Sequence, residues 1–304
     1  MAYVIILLSV FCFAGQFAFT KIYEGAVRQT AATSLVMLAV TGAIGTVLYL
    51  FIGGFQVEFS RFSILLTVLF ALVTIPYYMV GIKVLSLGNL ATYSMFMMLG
   101  GMLVPFFYGV WFLKETVSVA QIFGTVLLAG FIVLQAVSQA DPPKTSTEKQ
   151  SVKTRITFFV LCLAIFFLNG FTGVIAKAHQ IGEGAVDEVS FTVVSCALTA
   201  IFSLILLGFV FLSDRREKSR QVMTVLKIKP VCIMALIGAA NYTGNYLHLL
   251  AANDVPASVQ FPLVSGGVIV LSALVSFFIF KEKLSLKEWI SIGGAFASTV
   301  LFAF

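Results

Sequence analysis

Charge is scarce in this chain of 304 residues. Asp, Glu, Lys and Arg make up 11% of it, against about a quarter in a typical soluble domain, while hydrophobic residues make up 60%. All 13 acidic residues fall in polar breaks or at the ends of apolar runs, so we expect no carboxylate at the middle of a membrane. The composition excludes a water-soluble globular domain and indicates a membrane protein.

Metal-binding and nucleophilic residues are also few. There are two histidines and no HExxH or GxSxG sequence, so we expect no metal, no cofactor and no enzymatic activity. The alternative is an intramembrane enzyme acting on a lipid-linked substrate, which would need a nucleophile with a base or clustered carboxylates. The cysteines lie in apolar runs without a CxxC pair and are interpreted as buried thiols: Cys12, Cys162, Cys196 and Cys232.

Ten apolar runs fill most of the sequence. A helix needs roughly 20 apolar residues to cross about 30 Å of hydrocarbon. The runs do not alternate in polarity as the strands of a membrane barrel would. We therefore predict an all-α membrane protein whose ten transmembrane helices lie near 2–20, 33–53, 62–81, 89–112, 118–137, 155–176, 188–212, 230–250, 255–279 and 286–304.

An internal repeat is visible in the chain. The segment WFLKETVSVAQIFG (111–124) overlies FIFKEKLSLKEWIS (278–291) at an offset of 167. Residues 138–154 are rich in Pro, Ser, Thr and charge, so we predict a five-helix repeat over 1–137, a polar linker over 138–154 and a second five-helix repeat over 155–304. Because five is odd, the second half enters the membrane from the opposite side, which gives a 5+5 inverted repeat.

Basic residues are distributed unequally between the two sides of the predicted membrane. Of the 19 Lys and Arg residues, all but Arg61, Lys114 and Lys177 follow odd-numbered runs. The positive-inside rule then places the linker and the 213–229 loop in the cytoplasm and both termini outside. Membrane orientation therefore explains the net charge of +6, and we expect no nucleic-acid partner.

These features resemble the EamA-type branch of the drug/metabolite transporter superfamily, over essentially the whole chain. The resemblance rests on ten runs, two repeats, the Lys-Glu pair after the fourth run of each half and the stretches Ala14 to Lys21 and Gly170 to Lys177. It implies alternating access around a cavity lined by helices of both halves, in a bacterial cytoplasmic membrane. It also implies that both termini are cytoplasmic, against the charge count, so the orientation stays open.

Polar side chains within the runs are candidates for the cavity wall. A polar group at this depth has no water to bond with, so it either pairs between helices or lines a cavity. Pairing between helices is the structural alternative for each one of them. In the eighth run, Asn241, Asn245 and His248 recur at i, i+4 and i+7, which places them on one helical face. The predicted substrate-binding residues are Gln16, Thr74, Tyr78, Tyr93, Asn169, Thr172, Asn241, Asn245, His248 and Gln260.

Charged residues at the ends of the runs have two interpretations. They can form gates, or they can anchor helices at the membrane surface with their charged ends in water. The residues concerned are Lys21, Lys177, Lys114, Glu115, Lys281 and Glu282.

Together these patterns predict a secondary transporter, either a carrier, an exporter or an exchanger, of small polar metabolites. Since no carboxylate is expected at mid-membrane, neutral, zwitterionic or anionic solutes fit better than cationic ones. The expected partners are the solute and the lipid bilayer, and the oligomeric state stays open between monomer and homodimer. A third class, a non-transporting partner subunit, predicts that the polar residues are dispensable.

Overall fold

The computed structural model describes residues 2–140, 152–213, 215–251, 255 and 257–301. Within these residues the chain forms eleven helices and no strand. The helices are α1 (Ala2–Ala26), α2 (Ala31–Ile52), α3 (Arg61–Leu87), α4 (Leu90–Phe112), α5 (Val119–Ala140), α6 (Val152–Gln180), α7 (Glu188–Ser213), α8 (Arg215–Val225), α9 (Ile228–Ala251), α10 (Ala257–Phe278) and α11 (Leu286–Val300).

Seven of the described helices are long and apolar enough to cross a membrane, namely α1, α2, α3, α4, α6, α7 and α10. Helices α8 and α9 meet at a bend of 68° and together form an eighth candidate span. Helix α5 is apolar over the shorter stretch Val119–Gln135, and α11 has 15 residues. The chain is therefore a multi-pass helical membrane protein.

Ten of the described helices overlie the ten predicted apolar runs, with differences at their ends. Helix α3 continues through the predicted break at 82–88 and ends where Gly88 donates its amide to Val84 O at 3.0 Å. Helix α8 forms where a loop was predicted, since its Arg, Glu, Lys, Gln and Met residues favour helix. Of the predicted linker, residues 141–151 lie outside the described residues, and both flanks, 138–140 and 152–154, are helical.

The main packing in the described bundle joins the first half of the chain to the second half. Helix α1 packs on α9 and α10, α2 on α7 and α9, and α3 on α6 and α7. Helix α4 packs on α6 and α10, and α5 packs on α11. The interior of the protein therefore lies between the two halves of the sequence.

Glycines allow α4 and α6 to approach closely. A Cβ atom on Gly100 would lie 2.1 Å from the carbonyl oxygen of Phe166, and one on Gly170 would lie 2.4 Å from Val104 Cβ. Without a side chain at these positions the two backbones come together, as small residues permit in membrane bundles. The close crossing places Asn169 of α6 beside Gly101 of α4.

Contacts at the two ends of α3 identify the two faces of the bundle. At its C-terminal end, Lys21 Nζ donates to the Leu85 and Gly88 carbonyls at 3.1 and 3.4 Å. At its N-terminal end, Ser63 Oγ lies 2.9 Å from His179 Nε2, near the end of α6. Because α6 begins at the opposite end from His179, we call the end with Lys21 and Gly88 the linker face, and the end with Ser63 and His179 the far face.

We expect Gly100→Ala to destabilise the protein, because its new methyl group meets the Phe166 backbone and overpacking costs about 1 to 3 kcal/mol. Gly130→Ala on α5 is the matched control, since its Cβ would meet nothing within 4 Å. In thermal unfolding of the purified protein, the control should be neutral or slightly stabilised through helix propensity. Equal melting temperatures for the two variants would contradict the close α4–α6 crossing.

Candidate functional site

The predicted polar residues of α9 lie on the helix at i, i+4 and i+7, and two of them are hydrogen-bonded to each other. Asn245 Nδ2 donates to the Asn241 carbonyl at 2.8 Å and lies 3.2 Å from Asn241 Oδ1, and the Asn245 side chain is exposed. His248 follows one turn later, with its ring edge-on to Phe261 at a centroid distance of 4.8 Å. These residues provide amide and imidazole groups along one stripe of the helix.

Thr74, Thr172 and Asn169, like Asn245, donate to backbone carbonyls. Thr74 donates to Phe70 O at 2.7 Å, and Thr172 donates to Asn169 O at 2.7 Å, each within its own helix. Asn169 Nδ2 instead donates to Met97 O of α4 at 2.6 Å. The Asn169 contact is a hydrogen bond between helices, the structural alternative that the sequence left open.

Two predicted tyrosines belong to an aromatic group between α1, α3 and α4. Tyr93 is buried and packs edge-on against Phe17 of α1 at 5.3 Å. Tyr78 packs edge-on against Tyr77 at 4.7 Å. A Cβ on Gly81 would lie 3.5 Å from the Tyr93 hydroxyl, which places Tyr93 against the next turn of α3.

Three predicted site residues hold buried polar atoms without a hydrogen-bond partner in the described structure. They are Nε2 of Gln16, both ring nitrogens of His248 and Oε1 of Gln260, whose Nε2 donates to the His248 carbonyl. Gln16 and Gln260 are 1% and 0% exposed. His248 and Gln260 meet where α9 and α10 come together, whereas the contacts of Ser9 with Gly244 and of Val10 with Gly267 place Gln16 roughly 16 Å further along the bundle. Because an unpaired polar group in an apolar interior costs about 1 to 3 kcal/mol, each of these two positions is a candidate for contact with a polar solute.

The chemistry of the candidate site is that of neutral donors and acceptors beside aromatic rings. Among the buried side chains of the described residues, Glu288 is the one carboxylate, and it lies at the start of α11, where it accepts from Asn89 Nδ2 at 2.6 Å. In the same part of the chain, no group of three or more His, Cys, Asp and Glu could hold a metal ion. The site could bind a solute through hydrogen bonds and ring contacts.

Two cavities lie away from these residues. One of about 10 Å³ is lined by Ser63, Thr67 and Ser190 at the far face. The other, of about 200 Å³, is lined by Arg28 in the loop before α2, by Thr33 of α2 and by Glu217 and other residues of α8. Both are peripheral to the stripe on α9.

An ion pair that we call the first clasp joins the two halves at the linker face. Lys21 Nζ of α1 lies 3.2 Å from Glu282 Oε1, just after α10. Glu282 Oε2 also accepts from the Leu90 amide at 3.0 Å and from the Ser276 hydroxyl. Together with the bonds from Lys21 to the carbonyls at the end of α3, these bonds connect the ends of α1, α3 and α10 and the start of α4.

A second clasp joins the halves at the far face. Lys177 Nζ of α6 lies 2.8 and 2.9 Å from the two carboxylate oxygens of Glu115, just after α4. Each clasp thus joins a first-run helix of one half to the end of the fourth run in the other half. The sequence singled out all four residues as gates or anchors, but their pairing comes from the fold.

Lys114 and Lys281 have a backbone role beside the clasps. Their φ angles are 58° and 54°, in the left-handed region that side chains rarely adopt. After them, the Glu115 amide donates to Gly109 O at 3.1 Å and the Glu282 amide donates to Ser276 O at 3.0 Å. Each lysine therefore closes a helix end and turns the next residue, the clasp glutamate, back over that helix.

A serine–histidine cluster at the far face escaped the sequence interpretation. Ser63 Oγ accepts from the Ser60 hydroxyl at 2.9 Å and from the Val186 amide at 3.0 Å, so it donates to His179 Nε2. The His179 ring stacks on Phe191 at a centroid distance of 4.1 Å. Both lone pairs of the serine are engaged, which makes the cluster a tie between helices. The available signal was Ser60 and Ser63 before an apolar run, a helix start, but their partner is remote in sequence.

Asp187 extends the polar network of the far face. Its carboxylate accepts from the Ser190 amide at 2.9 Å, at the start of α7. Partial burial alone raises the pKa of Asp187, but hydrogen bonds from Ser190 and from backbone amides outweigh it and hold that pKa below its ordinary value. The carboxylate is therefore charged at neutral pH, and its negative charge is stabilised by the positive end of the α7 dipole.

Comparisons with known proteins support the fold alone. No family model and no curated protein matches the chain. Among solved chains, 27 match. One of them, a crystal structure of a protein, superposes with a TM-score of 0.55 at 15% identity over 99% of this chain and 96% of that chain. The described arrangement of helices is thus shared with a solved structure over nearly its whole length.

We predict that Ser63→Ala destabilises the far face, because it leaves the Val186 amide and His179 without their shared partner. The free energy of unfolding should fall by about 1 to 3 kcal/mol. Thermal unfolding is monitored by the reaction of a dye with Cys162 and Cys196, whose thiols are buried. Cys12 is partly exposed and Cys232 is exposed, contrary to the sequence interpretation, so both are replaced by Ala in every protein compared. The matched control is Ser86→Ala, an exposed serine bonded to its own helix at Lys83 O. A loss no larger than that of the control would rule out the tie.

Proposed function

We propose that this protein is a secondary transporter that carries small polar metabolites across a bacterial cytoplasmic membrane by alternating access. The two halves would form a 5+5 inverted repeat of the EamA-type drug/metabolite transporter class. The supporting observation is the set of unpaired buried polar atoms on Gln16, His248 and Gln260, which a polar solute can satisfy. Other unpaired buried atoms of the described residues lie on Gln29, Gln135, Ser195, Ser203 and Ser272, and the predicted site residues differ from these by standing on packed helices of both halves, α1, α9 and α10.

The repeat is supported by the matched helix ends at an offset of 167. The matched residues are Gly109 and Ser276, Lys114 and Lys281, and Glu115 and Glu282. At each helix end the glutamate amide donates to the carbonyl of the first residue, and the lysine between them is left-handed. The next helices also begin alike. Ser118 and Gln121 cap α5 reciprocally, as Ser285 and Glu288 cap α11.

Helix packing supports the same symmetry. Exchange of the halves replaces α1 by α6, α2 by α7, α3 by α9, α4 by α10 and α5 by α11, and conversely. It converts the α1–α9 pair into α6–α3, α1–α10 into α6–α4 and α2–α9 into α7–α3, all of which are observed. The α2–α7, α4–α10 and α5–α11 pairs map onto themselves. With such symmetry, an exchange of conformation between the two halves would convert a state open to one side of the membrane into a state open to the other side.

The type of solute is limited by the charges of the site. The described buried residues offer amides, hydroxyls, an imidazole and tyrosine rings, and their one carboxylate lies at a helix start. A cation would find no countercharge there, so neutral, zwitterionic or anionic solutes are the proposed class. Exchange between metabolites, or export down a gradient, would need no further machinery.

The test is metabolite exchange by proteoliposomes loaded with a pooled metabolite extract, with every compound followed by mass spectrometry. We expect Gln16→Leu and Asn245→Leu to reduce exchange of the carried compounds at least tenfold. Gln16→Leu should also raise the melting temperature, because it removes an unpaired buried amide. Gain of stability with loss of transport is the signature of a binding residue.

The matched control is Thr46→Val on α2, whose hydroxyl bonds to its own helix at Gly42 O. It should exchange like the wild type. Equal exchange by wild type and Gln16→Leu would contradict the assigned site. Folded wild-type protein that exchanges no compound would favour the non-transporting partner subunit.

A further inference from the structure

We propose that the two clasps, Lys21–Glu282 and Lys177–Glu115, are the two gates of the carrier, opened in turn at the linker face and the far face. The inference rests on the proposed transport function and adds a mechanism for its control. It gives roles to four charged residues that an anchoring interpretation would leave independent of each other.

The clasps lie between the candidate site and water. Lys21 stands five residues after Gln16 on α1, and Lys177 stands five residues after Thr172 on α6. At about 1.5 Å per residue, the backbone of each clasp lysine lies about 7.5 Å nearer the surface than that of the site residue. A solute that leaves the site toward either face therefore has to pass the level of one clasp.

Each clasp also crosses the boundary along which the halves would move. Lys21 belongs to the first half and Glu282 to the second, whereas Lys177 belongs to the second half and Glu115 to the first. Rocking of one half against the other must lengthen the pair on the opening face. A lysine that only anchored its helix in the lipid headgroups would not need a partner from the other half.

The backbone presents both glutamates in the same way. The left-handed residues Lys114 and Lys281 turn each glutamate over the end of the preceding helix. The backbone therefore fixes the place of the carboxylate independently of the clasp lysine, Lys177 or Lys21. A non-glycine residue in this conformation carries a backbone cost, which persists where the surrounding structure requires it. The occurrence of the same strained turn at both faces indicates that glutamate placement is the shared requirement.

The position beneath the glutamate differs between the two clasps. At the far face it is Gly109, where a Cβ would lie 2.2 Å from Glu115 Oε2 and 2.7 Å from Lys177 Nζ. At the linker face it is Ser276, whose hydroxyl donates to Glu282. The first clasp therefore has a hydrogen bond that the glycine at the far face cannot provide.

Exposure also distinguishes the clasps. The Lys21 and Glu282 side chains are 17% and 18% exposed, whereas Lys177 and Glu115 are 27% and 49% exposed. Water screens the second pair more, so it holds its face less firmly. Both clasps are formed in this structure, which therefore corresponds to a state closed at both faces, and loss of the first clasp should shift the population toward opening at the linker face.

The experiment measures access to one engineered thiol near each gate. The four native cysteines, Cys12, Cys162, Cys196 and Cys232, are first replaced. Either Thr20→Cys or Ala176→Cys is then introduced, so that one thiol stands at the residue before a clasp lysine. These two positions correspond at the offset of 156 that relates Lys21 to Lys177. Reconstituted vesicles are then treated with a membrane-impermeant maleimide from each face, and labelling rates are compared.

We expect Lys21→Ala, Glu282→Gln and Ser276→Ala to raise the labelling rate of the thiol at position 20 from the linker face about three- to tenfold. The same variants should lower the labelling rate of the thiol at position 176 from the far face. Lys177→Ala and Glu115→Gln should do the reverse. The charge exchange is made at the second clasp, where the double variant Lys177→Glu with Glu115→Lys should return labelling at position 176 toward the starting rate. The control, Lys283→Ala, alters an exposed lysine beside Glu282 and should change neither rate.

Three results would overturn the gate assignment: unchanged rates in folded Lys21→Ala and Lys177→Ala, rates that rise together at both faces, or no recovery by the charge exchange. Labelling requires no solute, so the gates and the transport function fail separately. Reciprocal labelling without exchange of any metabolite would leave the two gates in place and reject the carrier. Exchange with unchanged labelling would reject the gates and leave the carrier.

Discussion

Hydrocarbon offers no hydrogen-bond partner, and the arrangement of this protein follows from that constraint. Backbone groups are satisfied within helices, hydroxyls such as those of Thr74 and Thr172 bond to nearby carbonyls, and charges pair at the ends of the bundle. Against this background the buried polar atoms without partners are conspicuous. In the described residues they belong to Gln16, His248 and Gln260 of the candidate site and also to Gln29, Gln135, Ser195, Ser203 and Ser272. The three site residues stand on α1, α9 and α10, helices of both halves, where we propose that a carried solute binds.

The constraint also explains why so much of the described fold could be predicted from sequence. A helix that crosses the membrane must be apolar along its length, so the composition of each run identified a helix without knowledge of its neighbours. The Lys-Glu dipeptides identified matched positions because the same backbone turn occurs at both, with Lys114 and Lys281 left-handed. Local sequence determines such features, since helix ends are closed by residues close in the chain.

The pairings could not be predicted in the same way. Lys21 and Glu282 are 261 residues apart in sequence, and only the packing of α1 beside α10 brings them together. The contact between Ser63 and His179 could not be predicted either, because a serine at the start of a helix is ordinarily interpreted as part of the helix cap. Helix α8 was missed for another reason: its residues favour helix, but it has no apolar run to reveal it. For Gln16 and Asn169, sequence could not tell that one is unpaired and the other bonded to Met97.

If the two halves rock against each other, so that the linker face and the far face open in turn, distances between spin labels across both faces reveal the motion most directly. One pair of labels would replace Lys83 and Lys229 at the linker face, and a second pair, in separate samples, would replace Arg61 and Leu250 at the far face. These positions lie on α3 and α9, helices of different halves. We expect two populations in which a longer distance at one face accompanies a shorter distance at the other, and we expect a carried solute to shift their ratio. A single distance at each face, or distances that lengthen together, would contradict this expectation.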